Sequence, residues 1–252
     1  MNNNEANIIE IFSSVQGEGP YIGYRQLFIR FTLCNLCCTY CDTIFDMQEY
    51  CKVEVIPGSG NFNQLKNPVT AKQLVSIINK LASFNNHSIS LTGGEPLLNS
   101  DFLASFLPDF NKNKHDKNLK VYLETNGTLY KELEKVINHI DIISMDFKLQ
   151  SSTGQITPWK EHKEFIKLAK DHNKEIFAKI VISNKFLSAE IEEVTDTLLN
   201  FDNIPLILQP ISTQDKSLIL TPVQLLEIQE EFLQKLRDVR IIPQMHKYLN
   251  LL

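Results

Sequence analysis

The sequence predicts an α/β fold whose parallel sheet closes only part of a (β/α) barrel, or stays open. Apolar runs rich in β-branched residues alternate with stretches of helical periodicity, which is typical of parallel strands joined by helical crossovers. The alternation gives six strand–helix units and one last strand, too few for an eight-unit barrel. The predicted strands are residues 27–31, 88–91, 119–123, 140–145, 176–182, 204–208 and 239–242.

Helix start signals and periodicity support the units between these strands. Residues 70–84 begin at a threonine, and their apolar residues recur at helical spacing. Residues 158–172 begin with a proline, which is favoured at the first helical position. Residues 188–200 begin with a serine and residues 221–236 with Thr-Pro, both typical of helix N-termini.

Residues 44–69 fit none of the units. Prolines, glycines and asparagines are frequent there, which predicts a long loop. Such a loop in a compact domain is often functional. No linker divides the chain, so we expect one domain over residues 1–252.

Charge and hydropathy narrow the class of protein. The net charge is −5 with both signs mixed along the chain, so no basic stripe indicates a nucleic-acid partner. No apolar run approaches the ~18 residues of a membrane span, and the start does not resemble a secretory signal. We therefore expect a cytoplasmic protein whose cysteines are reduced thiols.

Four of the five cysteines lie within residues 34–41. A four-cysteine zinc site is disfavoured, because its two halves normally need a spacer of about a dozen residues. Without Cys37 the spacing is Cys34-x3-Cys38-x2-Cys41, and three thiolates can hold three irons of a cubane cluster while the fourth iron stays open. We read Cys51 as a loop thiol and assign no role to Cys37.

Polar or glycine residues follow several of the predicted strands. They include the Gly-Gly-Glu-Pro run at 93–96, residues 124–126, Asp146 and Lys148, residues 183–184 and Gln209. The carboxyl ends of parallel strands meet at one face of a (β/α) barrel, so these residues should share a pocket. The Glu124 carboxylate suits ribose hydroxyls, because it accepts from two donors.

The cysteine spacing directly after a strand, with Tyr40 before the last cysteine and Gly-Gly-Glu-Pro at 93–96, resembles the radical S-adenosylmethionine (SAM) superfamily. The resemblance implies that superfamily's modified, TIM-like partial (β/α)6 barrel. It implies a [4Fe-4S] cluster on Cys34, Cys38 and Cys41, with SAM on the open iron as the source of a 5′-deoxyadenosyl radical.

Further motifs along most of the chain resemble one radical SAM family in particular. That family makes 7-carboxy-7-deazaguanine from 6-carboxy-5,6,7,8-tetrahydropterin, with loss of ammonia, in queuosine biosynthesis. The resemblance implies a Mg²⁺-dependent homodimeric lyase that regenerates SAM and receives electrons from a reductant such as flavodoxin or ferredoxin. The motifs are residues 16–19, Arg30, Asp42-Thr43, residues 92–96, Gln209-Pro210 and residues 243–246.

The same resemblance implies the role of each site residue. The Thr43 hydroxyl would bind Mg²⁺. The expected SAM contacts are Tyr40, Cys41, Asp42, Gly94, Glu124, Asp146, Phe147, Lys148, Gln209, Pro210, Ile211 and Ser212. The expected substrate contacts are Val15, Gln16, Gly17, Glu18, Arg30, Thr92, His246 and the terminal carboxylate of Leu252. Met145–Lys148 departs from the Ser-Pro-Lys of many family members, which leaves only Lys148 with a direct counterpart.

Three alternatives stay open at this point. A glycyl-radical-enzyme activase shares the cysteine loop, but it does not need residues 16–19 or Arg30. A non-enzymatic iron–sulfur electron carrier or a zinc-structured module would not need the Gly-Gly-Glu-Pro run or the polar strand ends.

Overall fold

The computed structural model describes residues 3–41, 46–81, 84–213 and 216–251. In these ranges, ten strands form one sheet in the order β12-β11-β10-β9-β8-β7-β3-β2-β4-β5, and β1 pairs with β6. The strands are β1 Glu5–Ala6, β2 Ile8–Val15, β3 Arg25–Phe31, β4 Tyr50–Glu54, β5 Phe62–Lys66, β6 Val69–Thr70, β7 Ser88–Gly93, β8 Lys120–Thr125, β9 Ile142–Phe147, β10 Glu175–Ile182, β11 Leu206–Pro210 and β12 Val239–Ile241.

The helices follow the strands in the predicted alternation. They are α1 Ala71–Leu81, α2 Ser100–Asn113, α3 Tyr130–Val136, α4 Gln150–Thr153, α5 Trp159–Asp171, α6 Ser188–Leu199, α7 Pro222–Leu233 and α8 Met245–Leu249. The predicted start of α7 is correct, because the Thr221 side chain accepts from the Gln224 backbone N–H in a capping box. None of the described helices has the length and apolar character needed to cross a bilayer.

The parallel part of the sheet confirms the predicted fold class. Across the described ranges, β3 and β7 to β12 run parallel in sequence order. Helices α1, α2, α3, α5, α6 and α7 lie in the six connections between them. This is the predicted series of six strand–helix units and one last strand, and the described strands do not close into a barrel.

The prediction of a loop over residues 44–69 is wrong for much of that segment. Strands β4 and β5 form an antiparallel hairpin there, and β4 adds to the sheet beside β2. Cys51 is correspondingly not a loop thiol, because it lies in β4 and its side chain is fully buried in the core. Strand β2, antiparallel to β3, was also not predicted. These strands are joined without helices, so the strand–helix period does not reveal them.

The two faces of the sheet have different surroundings. In β10, Ile176, Ala178 and Ile180 belong to the main hydrophobic core, whereas Phe177 and Lys179 point to the opposite face. This alternation follows from the two-residue period of a strand. On that opposite face a small cluster of Tyr122, Ile142, Phe177 and Ile207 fills the amino-terminal end of the strands. The carboxyl-terminal end is left open as a cavity.

Candidate active site

A cavity of about 550 Å³ lies at the carboxyl ends of the strands, where the sequence predicts the site. Most of the expected site residues line it. They are Val15, Gln16, Gly17, Glu18, Arg30, Cys34, Cys38, Tyr40, Cys41, Thr92, Gly94, Glu124, Asp146, Lys148, Gln209, Pro210, Ile211, Ser212 and His246. Asp42, Thr43 and Leu252 lie outside the described residues.

The cysteine loop follows β3, and three of its four thiols border the cavity. Cys34, Cys38 and Cys41 line the cavity. Cys37 is exposed and does not line it, and its backbone N–H donates to Gln155 Oε1 at 3.4 Å. Burial raises the pKa of the Cys34 and Cys38 thiols. Among the described residues, no three His, Cys, Asp or Glu side chains converge to hold a single metal ion.

Two glycines at the end of β7 let that strand lie against the cysteine loop. A Cβ atom on Gly94 would lie 1.8 Å from the carbonyl oxygen of Leu33, and one on Gly93 would lie 2.3 Å from that of Phe31. Gly93 also has a positive φ of 117°, which other residues rarely adopt. A side chain at either position would therefore displace the segment that leads into Cys34.

The Glu95 carboxylate ties the ends of β7 and β8 together rather than facing the cavity. It accepts from the backbone N–H groups of Leu97 and Asn126 at 3.1 and 2.8 Å and from the Thr125 hydroxyl at 2.9 Å. Burial raises the pKa of Glu95 to about 7, although these hydrogen bonds act in the opposite direction. The glutamate thus holds the strand ends that carry the site.

A chain of buried charges crosses the cavity. Lys179 pairs closely with Glu18, and its Nζ also lies 3.6 Å from Asp146 Oδ2. Lys148 Nζ lies 2.7 Å from the same Asp146 oxygen and donates to the Tyr40 hydroxyl at 3.0 Å. The network therefore links the expected substrate side, at Glu18, to the expected SAM side, at Asp146 and Lys148.

Glu18 is held in its ionised form. Burial alone would raise its pKa, but the charge of Lys179 and hydrogen bonds from Lys179 and Gln244 outweigh burial and lower the pKa to about 2. The Gln244 amide donates to Glu18 Oε1 at 2.7 Å. A fixed carboxylate in the cavity can accept hydrogen bonds from a bound ligand.

Near Glu18, the side chains of Gln16, Glu124 and Thr92 form a second set of hydrogen bonds. The Gln16 amide donates to Glu124 Oε1 at 2.8 Å, and the Thr92 hydroxyl donates to Glu124 Oε2 at 2.6 Å. Glu124, which is expected to bind the SAM ribose, therefore also contacts two residues that are expected to bind substrate. Gly17 packs so closely on His246 that a Cβ atom there would lie 2.2 Å from His246 Nδ1.

Arg30 lies in the cavity wall, where its guanidinium is already engaged. Its Nε donates to Glu10 Oε1 at 2.8 Å, and its Cζ lies 5.6 Å from the centre of the Phe12 ring. A forked contact with a ligand carboxylate would therefore use the two terminal guanidinium nitrogens.

Phe147 is expected to contact SAM, but its side chain does not line the cavity. Phe147 is buried in the main core, where its ring packs on Trp159 and His162 at 6.2 and 5.0 Å between centroids. Because side chains alternate along β9, Asp146 faces the cavity and Phe147 faces the helices.

Several cavity residues were not predicted from the sequence, notably Lys179 and Lys52. Lys179 could have been predicted as a site residue, because it is the one charged residue inside the apolar run 176–182. The same signal, a charge within an apolar strand, singled out Arg30. Asn126 directly follows the predicted strand end, but its sequence neighbours do not show what it contacts.

Comparison with known proteins supports the class that the fold and cavity define. The profile of the Radical SAM superfamily matches residues 28–198. In fold, the chain is similar to the crystal structure of QueE from Escherichia coli, with a TM-score of 0.59 at 19% identity over 96% of this chain and 95% of that one. It is also similar in fold to native anSMEcpe with bound AdoMet, with a TM-score of 0.52 at 18% identity over 82% and 61% of the two chains. The protein is thus a member of the radical SAM superfamily.

Two full-length relatives narrow the family. The chain is 41% identical to a 7-carboxy-7-deazaguanine synthase of Geobacter sulfurreducens, over 97% of both chains. It is 34% identical to one of Methanocaldococcus jannaschii, over 97% of this chain and 100% of the relative. The chain belongs to the 7-carboxy-7-deazaguanine synthase family.

Proposed function

We propose that the protein converts 6-carboxy-5,6,7,8-tetrahydropterin to 7-carboxy-7-deazaguanine and ammonia, as a radical SAM lyase of queuosine biosynthesis. The observation that carries this proposal is the composition of one cavity. It has the Cys34, Cys38 and Cys41 thiols in its wall, together with residues 16–18 and His246, to which the family resemblance assigns substrate binding. The activase, electron-carrier and zinc-module alternatives account for only the thiols.

The cavity residues fit the cluster and SAM that the superfamily implies. Cys34, Cys38 and Cys41 would hold three irons, with the open fourth iron left to SAM. Three buried polar atoms of the cavity wall have no hydrogen-bond partner within the described ranges, namely Asp146 Oδ1, Gln209 Oε1 and Ser212 Oγ. Such atoms are normally satisfied by a ligand or water. When bound, the cluster and SAM together supply a 5′-deoxyadenosyl radical.

The residues on the other side of the cavity suit a carboxylated pterin. The ionised Glu18 would accept from ring N–H or amino groups of the base, and Gln16 and His246 would complete its edge. The terminal nitrogens of Arg30 would bind the substrate carboxylate. Val15, Gly17 and Thr92 would line the ring, since all three border this part of the cavity.

The remaining SAM contacts belong to the same proposal. Three of them, Tyr40, Gly94 and Lys148, line the cavity near the cysteine loop, and the Lys148 ammonium donates to the Tyr40 hydroxyl. They would therefore border SAM near the thiols. Pro210 and Ile211 would border it at the end of β11.

Four further elements complete the proposal. Mg²⁺ would bind the Thr43 hydroxyl and substrate oxygens, because this ion prefers hard oxygen ligands. The Leu252 carboxylate would reach the substrate from α8, whose His246 and Lys247 already line the cavity. The chain would act as one domain in a cytoplasmic homodimer. A flavodoxin or ferredoxin would supply the electron.

The test is anaerobic turnover with SAM, a reductant, Mg²⁺ and 6-carboxytetrahydropterin. We expect 7-carboxy-7-deazaguanine and ammonia in equal amounts, identified by mass spectrometry and an ammonia assay. Omission of Mg²⁺ should lower the rate. A chain that assembles the cluster and cleaves SAM but leaves the pterin unchanged would contradict the substrate assignment and leave the superfamily assignment intact.

A further inference from the structure

A hydrogen bond reaches the first cysteine of the loop from the end of β8. The Asn126 side-chain amide donates to Cys34 Sγ at 3.8 Å and to Asn35 Oδ1 at 2.8 Å. Both of its N–H groups thus point to two adjacent residues of the cysteine loop. A sulfur accepts a hydrogen bond at a longer distance than oxygen does, because the sulfur atom is larger.

The orientation of this amide is fixed from its other end. Asn126 Oδ1 accepts from the Thr128 backbone N–H at 3.0 Å and from the Thr128 hydroxyl at 2.6 Å. The Thr128 hydroxyl oxygen in turn accepts from Asn35 Nδ2 at 2.9 Å. Because a backbone N–H can only donate, the amide cannot be flipped without loss of these bonds. Asn126, Thr128 and Asn35 therefore form a closed triangle of hydrogen bonds beside Cys34.

The backbone of Asn126 is held as firmly as its side chain. Its N–H donates to Glu95 Oε2 at 2.8 Å, and its carbonyl oxygen accepts from the His162 ring at 3.0 Å. Asn126 is only 4% exposed, and His162 is fully buried. The amide that faces Cys34 is thus preorganised by groups outside the cavity.

The consequence for a bound cluster follows from the chemistry of thiolate ligands. An N–H donor directed at a ligating sulfur withdraws negative charge from it, which favours the reduced cluster and raises its reduction potential. Hydrogen bonds that orient a ligand also strengthen metal binding, and their loss typically weakens it about 10- to 100-fold.

We propose that Asn126 is a positioning residue that presents Cys34 to the cluster and raises the cluster potential through its amide-to-sulfur hydrogen bond, with Thr128 as its anchor. This inference rests on the proposed cluster, and it concerns residues to which neither the spacing of the cysteines nor the Gly-Gly-Glu-Pro run assigns a role.

The test compares the reconstituted, SAM-free protein with the Asn126→Leu variant, which keeps the side-chain size and removes the donor. We expect a midpoint potential shifted to more negative values in a spectroelectrochemical titration. We also expect iron retention against a chelator to weaken about 10- to 100-fold. Thr128→Val, which removes only the anchoring hydroxyl, should shift the potential in the same direction by less.

Asn86→Leu is the matched control. Asn86 is also a buried asparagine, 6% exposed, but it bonds Ser13 and the Leu81 carbonyl near the amino-terminal end of β7, away from the cavity. Its replacement should destabilise the fold and leave the potential unchanged.

Three outcomes would overturn the inference. One is a wild-type potential and iron retention in Asn126→Leu. Another is an equal shift in Asn86→Leu, which would assign the effect to lost packing. The third concerns Thr128→Val. If Asn126→Leu does not fold, an unchanged cluster potential in Thr128→Val would overturn the inference. A wild-type chain that assembles no cluster would instead overturn the proposed function, and this inference with it.

Discussion

Serine in place of Cys34, Cys38 or Cys41 is expected to abolish both cluster assembly and turnover, whereas Cys37→Ser is expected to retain both. The first three thiols line the cavity, and each would hold one iron. The Cys37 side chain is exposed and does not line the cavity, although it neighbours a ligand in sequence. Anaerobic reconstitution followed by iron analysis should give about four irons per chain in the wild type and in Cys37→Ser.

The comparison has its control within the same loop, because all four substitutions exchange the same atoms within eight residues. Loss of iron in Cys37→Ser with retention in any one of the other three would refute the division of the cysteines. Stoichiometric zinc in place of iron in the wild type would refute the cluster itself.

Replacement of Lys179 by Met is expected to cost about 3–5 kcal/mol of folding free energy, because it leaves the buried Glu18 carboxylate without its cation. Asp146 keeps its closer partner, Lys148. Lys179 pairs with Glu18 and approaches Asp146 at 3.6 Å, with 11% of its side chain exposed. Turnover should fall by roughly 100-fold or more, because a misplaced Glu18 and Asp146 would cost about 3 kcal/mol of transition-state binding. Chemical denaturation at pH 7 and steady-state kinetics measure the two effects.

The pH dependence of the unfolding free energy distinguishes the contribution of the Lys179–Glu18 ion pair from that of packing. The lowered pKa of Glu18 means that its contribution is fully present above its ordinary pKa of 4.5 and is lost as the pH falls towards about 2. Lys179→Met should remove this part of the acid dependence.

Lys163→Met is the matched control for Lys179→Met. Lys163 pairs with Glu193 at 3.4 Å, where both side chains are about half exposed. Such a surface pair should contribute less than about 1 kcal/mol. An equal loss of stability in the two variants would contradict the central role of Lys179.

The sequence shows the parallel strands well because their pattern is local. Each of β7 to β12 contains an apolar run of the length of a strand, so its own stretch of sequence locates it. Strands β2, β4 and β5 were missed because their pairing depends on distant segments. β4, for example, joins the sheet only by pairing with β2 and β5. Cys51 was misplaced for the same reason.

Some residues of the candidate site could likewise be predicted from the sequence, and others could not. Residues that lie in recognisable motifs, such as Cys34 and Gly94, could be predicted to share one cavity because strand ends meet at one face of the sheet. Contacts between side chains could not be predicted. The bond from Asn126 to Cys34 and the position of Lys179 between Glu18 and Asp146 depend on how strands far apart in sequence are placed. The register of β9 decides which face of the sheet the Phe147 side chain points to. The apolar run of β9 does not show that register.

The most direct test of the account is the amount of 7-carboxy-7-deazaguanine formed per SAM consumed in the anaerobic reaction. We expect many product molecules for each SAM lost, with little free 5′-deoxyadenosine or methionine, because the proposed reaction regenerates SAM at each turnover. The count uses the reconstituted chain with SAM, a reductant, Mg²⁺ and substrate, and both amounts are measured by quantitative mass spectrometry. One SAM consumed per product would contradict its role as a regenerated cofactor, and SAM cleavage without any deazaguanine would contradict the proposed reaction.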